Sequence, residues 1–244
     1  MRECSKSIIR RLHDPNFMRS YFLGDGLDIG GKPDPLALYR ELFPVMTSVR
    51  TWDIEDGDAQ FMTGVADASF DFVHSSHCLE HMRDPAEALG NWLRILKPGG
   101  HLIITVPDED LYEQGEFPSA FNRDHKWTFT VYKTQSWSDK SVNIIDLFGS
   151  LGVDCDIRRI EVIDATYRHT LPRYDQSLTP VAESAIEIVV RKRAANEIAN
   201  KGRLPLSNQP DEEIRIHLNQ YRDDQKTLRA NNQSASPFHN KSPL

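Results

Sequence analysis

Apolar and polar positions divide the chain into short buried strands separated by helices with clear ends. Gly26-Leu27-Asp28-Ile29 reads as a strand that breaks at Gly30-Gly31, after which Pro35-Leu36-Ala37-Leu38-Tyr39-Arg40-Glu41-Leu42-Phe43 carries apolar residues at helical spacing. The paired glycines permit positive φ and bring a ligand close to bare backbone, and the helix start offers free N–H groups to an anion. Val49-Arg50-Thr51-Trp52 and Phe70-Asp71-Phe72-Val73 read as further strands, and Leu102-Ile103-Ile104-Thr105-Val106-Pro107 is a continuous apolar run of the kind buried on both faces. Between them Asp84 caps a helix, Pro85 takes its first position, Glu87 completes a capping box, and Leu89, Trp92, Leu93 and Leu96 share one face before Lys97-Pro98-Gly99-Gly100 stops it. A helix from Ser141 to Leu151 and two strands, around Ile157–Ile163 and Ala185–Val190, close the pattern. The alternation predicts an α/β fold with a doubly wound sheet, mostly parallel, ending in an antiparallel edge pair.

The flanks read differently. Residues 5–22 form one or two short helices broken at Asp14-Pro15, with Ile8, Ile9 and Leu12 on one face, and are expected to cap the site. This divides the chain into an N-terminal helical cap (1–22), a main domain (23–192) and a polar tail (193–244). The tail holds one helix, starting at Pro210 with Ile214, Leu218 and Tyr221 on a stripe, and an end too poor in apolar residues to fold alone.

Composition narrows the chemistry. A formal charge of −7 over 244 residues, with no lysine or arginine block, argues against nucleic acid or an anionic membrane as partner and favours a small-molecule or carbohydrate acceptor. Cys4, Cys78 and Cys155 are scattered and form no C-x-x-C, which suits a reducing cytoplasm rather than a disulfide framework or zinc ribbon. The first dozen residues are no signal peptide and no apolar run approaches a bilayer span, so a cytoplasmic location is expected.

Asp53 ends the second strand, where an acidic residue grips ribose hydroxyls in nucleotide-binding βαβ units. Asp58-Ala59 follows where a third strand would present a carboxylate near an adenine amino group, although Glu55-Asp56-Gly57-Asp58 also reads as a solvated acidic turn. Asp28-Ile29-Gly30-Gly31, Ser75-Ser76-His77-Cys78-Leu79-Glu80-His81 and Leu93-Arg94-Ile95-Leu96-Lys97-Pro98-Gly99-Gly100 occur in order ahead of Thr105-Val106-Pro107. Together these motifs resemble class I S-adenosylmethionine-dependent methyltransferases, most closely the small-molecule and polysaccharide-modifying branch. The resemblance implies a Rossmann-like, seven-stranded sheet with S-adenosylmethionine lying across the carboxyl ends of the first strands. It places Asp28, Gly30 and Gly31 at the methionine end, Asp53 at the ribose, Asp58 and Ala59 at the adenine edge and Ser75 beneath the sulfonium. One departure stands out: Lys32-Pro33 follows Gly31 where the family's first motif usually has a third glycine.

His77-Cys78-Leu79-Glu80-His81 is also a literal H-x-x-E-H, the inverted zinc-peptidase pattern. That pattern needs a helix and a third ligand, whereas this one follows a buried strand directly. No metal site is therefore assigned, and a zinc hydrolase through His77, Glu80 and His81 is the minor alternative. The long segment from Asp108 to Trp137 is expected to form a substrate lid, and its His125 is the preferred general base, with His77 the second catalytic candidate. Tyr167, Arg168, His169, Arg173 and Tyr174, between the last two strands, are placed at the acceptor pocket. The function expected is methyl transfer to a hydroxyl of a small molecule or sugar intermediate. The competing class is a non-catalytic binding module whose first motif is spoiled by Lys32-Pro33.

Overall fold

The computed structural model of the protein describes residues 3–204, 220 and 222–230. Residues up to Ile198 form one compact unit, and a second unit starts at Ala199, of which residues 220 and 222–230 are helical. The expected helix start at Pro210, its Ile214, Leu218 and Tyr221 stripe, and the chain end fall outside the described residues.

Among the described residues, six strands form the main sheet in the order β2-β1-β3-β4-β8-β7. They are β1 (Gly24–Ile29), β2 (Met46–Trp52), β3 (Phe70–Ser76), β4 (Leu96–Pro107), β7 (Cys155–Ile163) and β8 (Ala185–Lys192). β5 (Thr128–Thr130) and β6 (Ser141–Asn143) make a separate two-stranded sheet. The β1–β2, β1–β3 and β3–β4 pairs are parallel, while β8 runs antiparallel to both β4 and β7, as the sequence predicts. The family resemblance implies a seventh strand, and the segment after Asp53 does not supply it. Residues 54–65 are turns, because Asp56 and Asp58 turn their carboxylates back onto the nearby amides of Asp53 and Gln60.

Strand alternation sends Leu27, Ile29, Val73, Leu102, Ile104, Ile186 and Ile188 into one apolar layer, where Leu89, Trp92 and Leu93 of α2 (Pro85–Ile95) pack on them. The opposite face is covered by α1 (Cys4–Leu12) and the turn Phe17–Tyr21, with Phe17, Phe22, Phe43, Phe72 and Ile103 in its core. The Asp14-Pro15 break is present, but Ile8 rather than Ile9 faces inward; Ile9 is 70% exposed.

Three element ends differ from expectation for identifiable reasons. Asp84 does cap α2, accepting from the N–H groups of Ala86 and Glu87 at 2.9 and 3.1 Å. Glu87 does not complete a capping box; Gln60 Oε1 accepts from the Asp84 N–H instead, and Glu87 bonds the Gln60 amide. The glycine pair at 99–100 lies inside β4, which begins at Leu96 as soon as α2 ends. Finally, Leu36–Leu42 is a 3-10 helix with only Leu36 buried, not an α-helix. α3 (Ile144–Gly149) and α4 (Ala195–Ala199) complete the elements, and no helix among the described residues is long and apolar enough to cross a membrane.

Candidate active site

The carboxyl ends of β1, β2 and β3 meet around the bend at Gly30-Gly31. Gly30 has φ +71°, and a Cβ there would sit 2.8 Å from Cys78 Sγ; a Cβ on Gly31 would overlap the Asp28 carboxylate. The glycines are thus demanded by the turn's own packing, beyond any need for ligand approach. Asp28 ties the strand before the bend to the elements on either side. Its Oδ2 accepts the Leu36 N–H at 2.7 Å and its Oδ1 bonds His74 Nδ1 at 2.7 Å, so the first amide of the Leu36–Leu42 helix is already capped from within. The helix start expected to receive an anion is therefore occupied by Asp28.

Asp53 lies beside this bend, with Oδ2 accepting the Lys32 N–H at 3.0 Å and Oδ1 the Ile54 N–H at 2.8 Å. The Lys32 ammonium is paired with Glu55 at an exposed site. A cavity of about 540 Å³ opens here, lined by Trp52, Asp53, Ile54, Asp58, Ala59 and Met82 among others. Apolar walls flank three carboxylates, those of Asp53, Asp58 and Asp124, a combination that accepts a flat heterocycle joined to a hydroxyl-bearing sugar. Asp58 is held at the rim by Arg83 at 2.9 Å.

A second cavity, of about 200 Å³, adjoins the first through two shared residues, Gly30 and His81. Its lining includes Glu3, Asp28, Gly31, His74, Ser76, His77, Glu80 and His125. Ser75 lines neither cavity; it is buried between strands and donates to the Ile29 carbonyl at 3.2 Å, while its neighbour Ser76 faces the space.

Glu80 is the centre of this second cavity and is completely buried, with neither carboxylate oxygen in a hydrogen bond. His77 Nδ1, itself unpartnered, lies 3.5 Å from Glu80 Oε1, and His81 Nε2 and His125 Nε2 each lie 3.9 Å from the same oxygen. Burial works to raise the Glu80 carboxyl, but His77, His125 and His81 together hold it below its usual range. His77 moves the other way: burial works to lower it, and Glu80 and Glu3 raise it overall. Leaving a buried carboxylate without hydrogen bonds costs several kcal/mol unless charge gathers round it.

His125 reaches the cluster because the segment carrying it is pinned rather than loose. Asp108 caps the turn Glu109–Glu113, and buried Glu109 binds Lys133 Nζ at 2.7 Å, Ser136 Oγ at 2.8 Å and Thr128 Oγ1 at 3.1 Å. The Lys126 N–H donates to the Glu80 carbonyl at 2.9 Å, and Trp127 Nε1 to the Met82 carbonyl at 3.0 Å, which clips residues 125–127 onto 80–82. His77 has φ +53° and Leu79–His81 is a single 3-10 turn, so the H-x-x-E-H residues do not lie on an α-helix as the inverted zinc-peptidase pattern requires. Tyr167, His169 and Arg173 line a third, separate cavity with Asp108, Asp110 and Trp137, not the one around Glu80.

A model of a methyltransferase domain matches residues 7–148, more than half of the chain. The chain belongs to the methyltransferase-domain family. Membership of this family supports S-adenosylmethionine as the cofactor, and the cavity beside Asp53 fits that group, with carboxylates at the rim and apolar walls within. Among curated proteins, the chain is 29% identical over 135 residues to dimethylglycine N-methyltransferase of Parasynechococcus marenigrum, covering 50% of this chain and 48% of that protein. A shorter match, 38% over 58 residues, joins it to an uncharacterized 37.1 kDa transposon protein of Streptomyces fradiae, covering 24% of this chain and 16% of that protein. The chain thus spans at most about half the length of these relatives. In fold it resembles a chain from the complex between the Haloferax volcanii Trm112 methyltransferase activator and a methyltransferase, with TM-score 0.51, 15% identity and 79% and 91% of the two chains covered.

The sequence missed Arg11. It is fully buried, bonds Glu187 through Nε at 3.0 Å and Nη2 at 2.8 Å, and donates from Nη1 to His74 Nε2 at 3.0 Å. Its only sequence signal is a charged residue on the inward face of α1, beside Ile8 and one turn after Ser7.

Proposed function

We propose that this methyltransferase transfers a methyl group from S-adenosylmethionine to a hydroxyl of a small polar molecule, such as a sugar intermediate. The observation that carries this reading is the junction of the two cavities at Gly30 and His81: a donor seated in the larger one presents its methyl group to the cluster around Glu80. Asp53 would bind the ribose, Asp58 and Ala59 the adenine edge, and Gly30 and Gly31 the methionine end, with Asp28 acting through the bend it braces. The bound cofactor supplies a sulfonium-borne methyl group, a strong electrophile, so the protein's task is alignment and management of one proton.

An alcohol must lose its proton as its oxygen takes the methyl carbon, while the sulfur keeps the electrons of the bond that breaks. The polar second cavity, with three histidines about one carboxylate, suits a hydroxylated acceptor better than an apolar one. His125 and His77, which both line the smaller cavity, are the catalytic residues of this reading.

Incubation with methyl-labelled S-adenosylmethionine and a panel of sugars, sugar nucleotides, polyols and amines tests the proposal. Label in a base-stable ether of one hydroxylated acceptor supports it, and label confined to amines overturns it.

A further inference from the structure

We infer that Glu80, His81 and His125 form a binding site for one divalent first-row transition-metal ion in the smaller cavity. One ligand atom from each lies within 4.8 Å of the others. The two histidines are prepared in the same way. His125 Nδ1 is bonded to Glu113 Oε1 at 2.7 Å, and His81 Nδ1 lies 2.9 Å from Asp124 Oδ2. A carboxylate on Nδ1 selects the tautomer protonated there and leaves the lone pair on Nε2. Both Nε2 atoms then face the same oxygen, Glu80 Oε1, each at 3.9 Å. Ligand atoms bound at roughly 2.1 Å to a tetrahedral ion stand about 3.4 Å apart, so a small side-chain movement closes the site.

The independent sign of a missing ligand is Glu80 itself. It is completely buried, and both carboxylate oxygens lack hydrogen-bond partners. A cation among two imidazoles and a carboxylate would satisfy it. Two nitrogen donors and one oxygen donor favour zinc, iron, cobalt or manganese over calcium, and three protein ligands leave positions open to solvent or a substrate oxygen. His77 falls outside this ligand group, although its unpartnered Nδ1 stands 3.5 Å from Glu80 Oε1.

The metal site rests on these residues alone; its use in methylation rests on the function proposed above. In that role the ion would hold the acceptor hydroxyl and lower its pKa, His125 would serve as ligand, and His77 would be left to receive the proton.

The test titrates chelator-treated full-length protein with Co²⁺ and follows visible absorption, with S-adenosylmethionine affinity measured on the same preparations. One equivalent of Co²⁺ with a ligand-field spectrum is expected. His125→Ala and Glu80→Gln should remove that binding, and Glu113→Gln should weaken it about 10- to 100-fold. His81→Gln, at a partly exposed position, should also abolish it, which guards against a buried variant that fails to fold. Absence of stoichiometric Co²⁺, or binding unchanged in His81→Gln, overturns the metal site. Cofactor binding without metal binding defeats this inference alone, whereas metal binding without cofactor binding defeats the methyltransferase reading alone.

Discussion

Asp28 and His74 share a buried 2.7 Å hydrogen bond between neighbouring strands, and it fixes which proton the histidine carries. Arg11 can only donate, so His74 Nε2 accepts from Arg11 Nη1 and His74 Nδ1–H donates to Asp28. Burial drives the His74 pKa down, which agrees with a neutral ring. Asp28, His74, Thr105 and Glu187 occupy the same sheet face on adjacent strands, with Arg11 inserted over them. The bend that borders both cavities is thereby braced across the sheet to β8.

Replacing Asp28 with alanine should therefore cost stability as well as function. The change leaves the Leu36 N–H and His74 Nδ1–H unsatisfied in the interior, a loss of about 3 kcal/mol. Urea denaturation measures it. A loss below about 0.5 kcal/mol would remove Asp28 from its bracing role.

Glu187 makes the same network sensitive to acid. Burial alone would raise its carboxyl, but Arg11 and Arg10 outweigh this and hold it down to about 2, from an ordinary 4.5. A depressed acid contributes its stability above the unfolded-state value and loses it as pH falls toward the folded one. The contribution, on the order of 3 kcal/mol, is complete above about pH 5 and declines between about 4.5 and 2. Glu187→Gln should destabilise the protein by about 3–5 kcal/mol at pH 7, because Arg11 is left buried without its partner. The gap between wild type and variant should narrow as denaturation is repeated at lower pH. A constant gap would contradict the assignment.

Gly30→Ala should both strain the bend and close the junction between the cavities. The φ of +71° and the 2.8 Å approach to Cys78 together predict a loss of about 1–3 kcal/mol in melting or denaturant experiments. Cofactor affinity should fall in parallel. Unaltered affinity would mean the bend takes no part in binding.

His125→Ala should lower turnover about 100-fold or more while leaving cofactor affinity within about twofold, since His125 lines only the smaller cavity. Single-turnover methyl transfer and calorimetry separate the two effects. Equal loss in both would return His125 to a packing role.

Local rules made much of this architecture legible in the sequence. The Asp84 cap, the apolar run of β4 and the alternation in β1 and β3 each act over a few residues, and all appear where expected. Asp53 beside the bend was also legible, since a strand end followed by turn residues places it there. What the sequence did not reveal depends on partners far along the chain. Arg11 needs Glu187 to justify its burial, Gln60 takes the capping task that Glu87 was expected to share, and Glu80 meets His125 only because Lys126 and Trp127 are clipped to residues 81 and 82. Among the described residues, the lack of a seventh strand after Asp53 has a local cause that the family resemblance obscured, namely carboxylates that favour turns.

Calorimetric titration of the wild-type protein and of Asp53→Ala with S-adenosylmethionine tests the donor seat most directly. The bend and the carboxylate beside it predict one site per chain, weakened at least tenfold by the substitution, with thermal stability little changed. No heat at millimolar cofactor, or equal affinity in the two proteins, would contradict it.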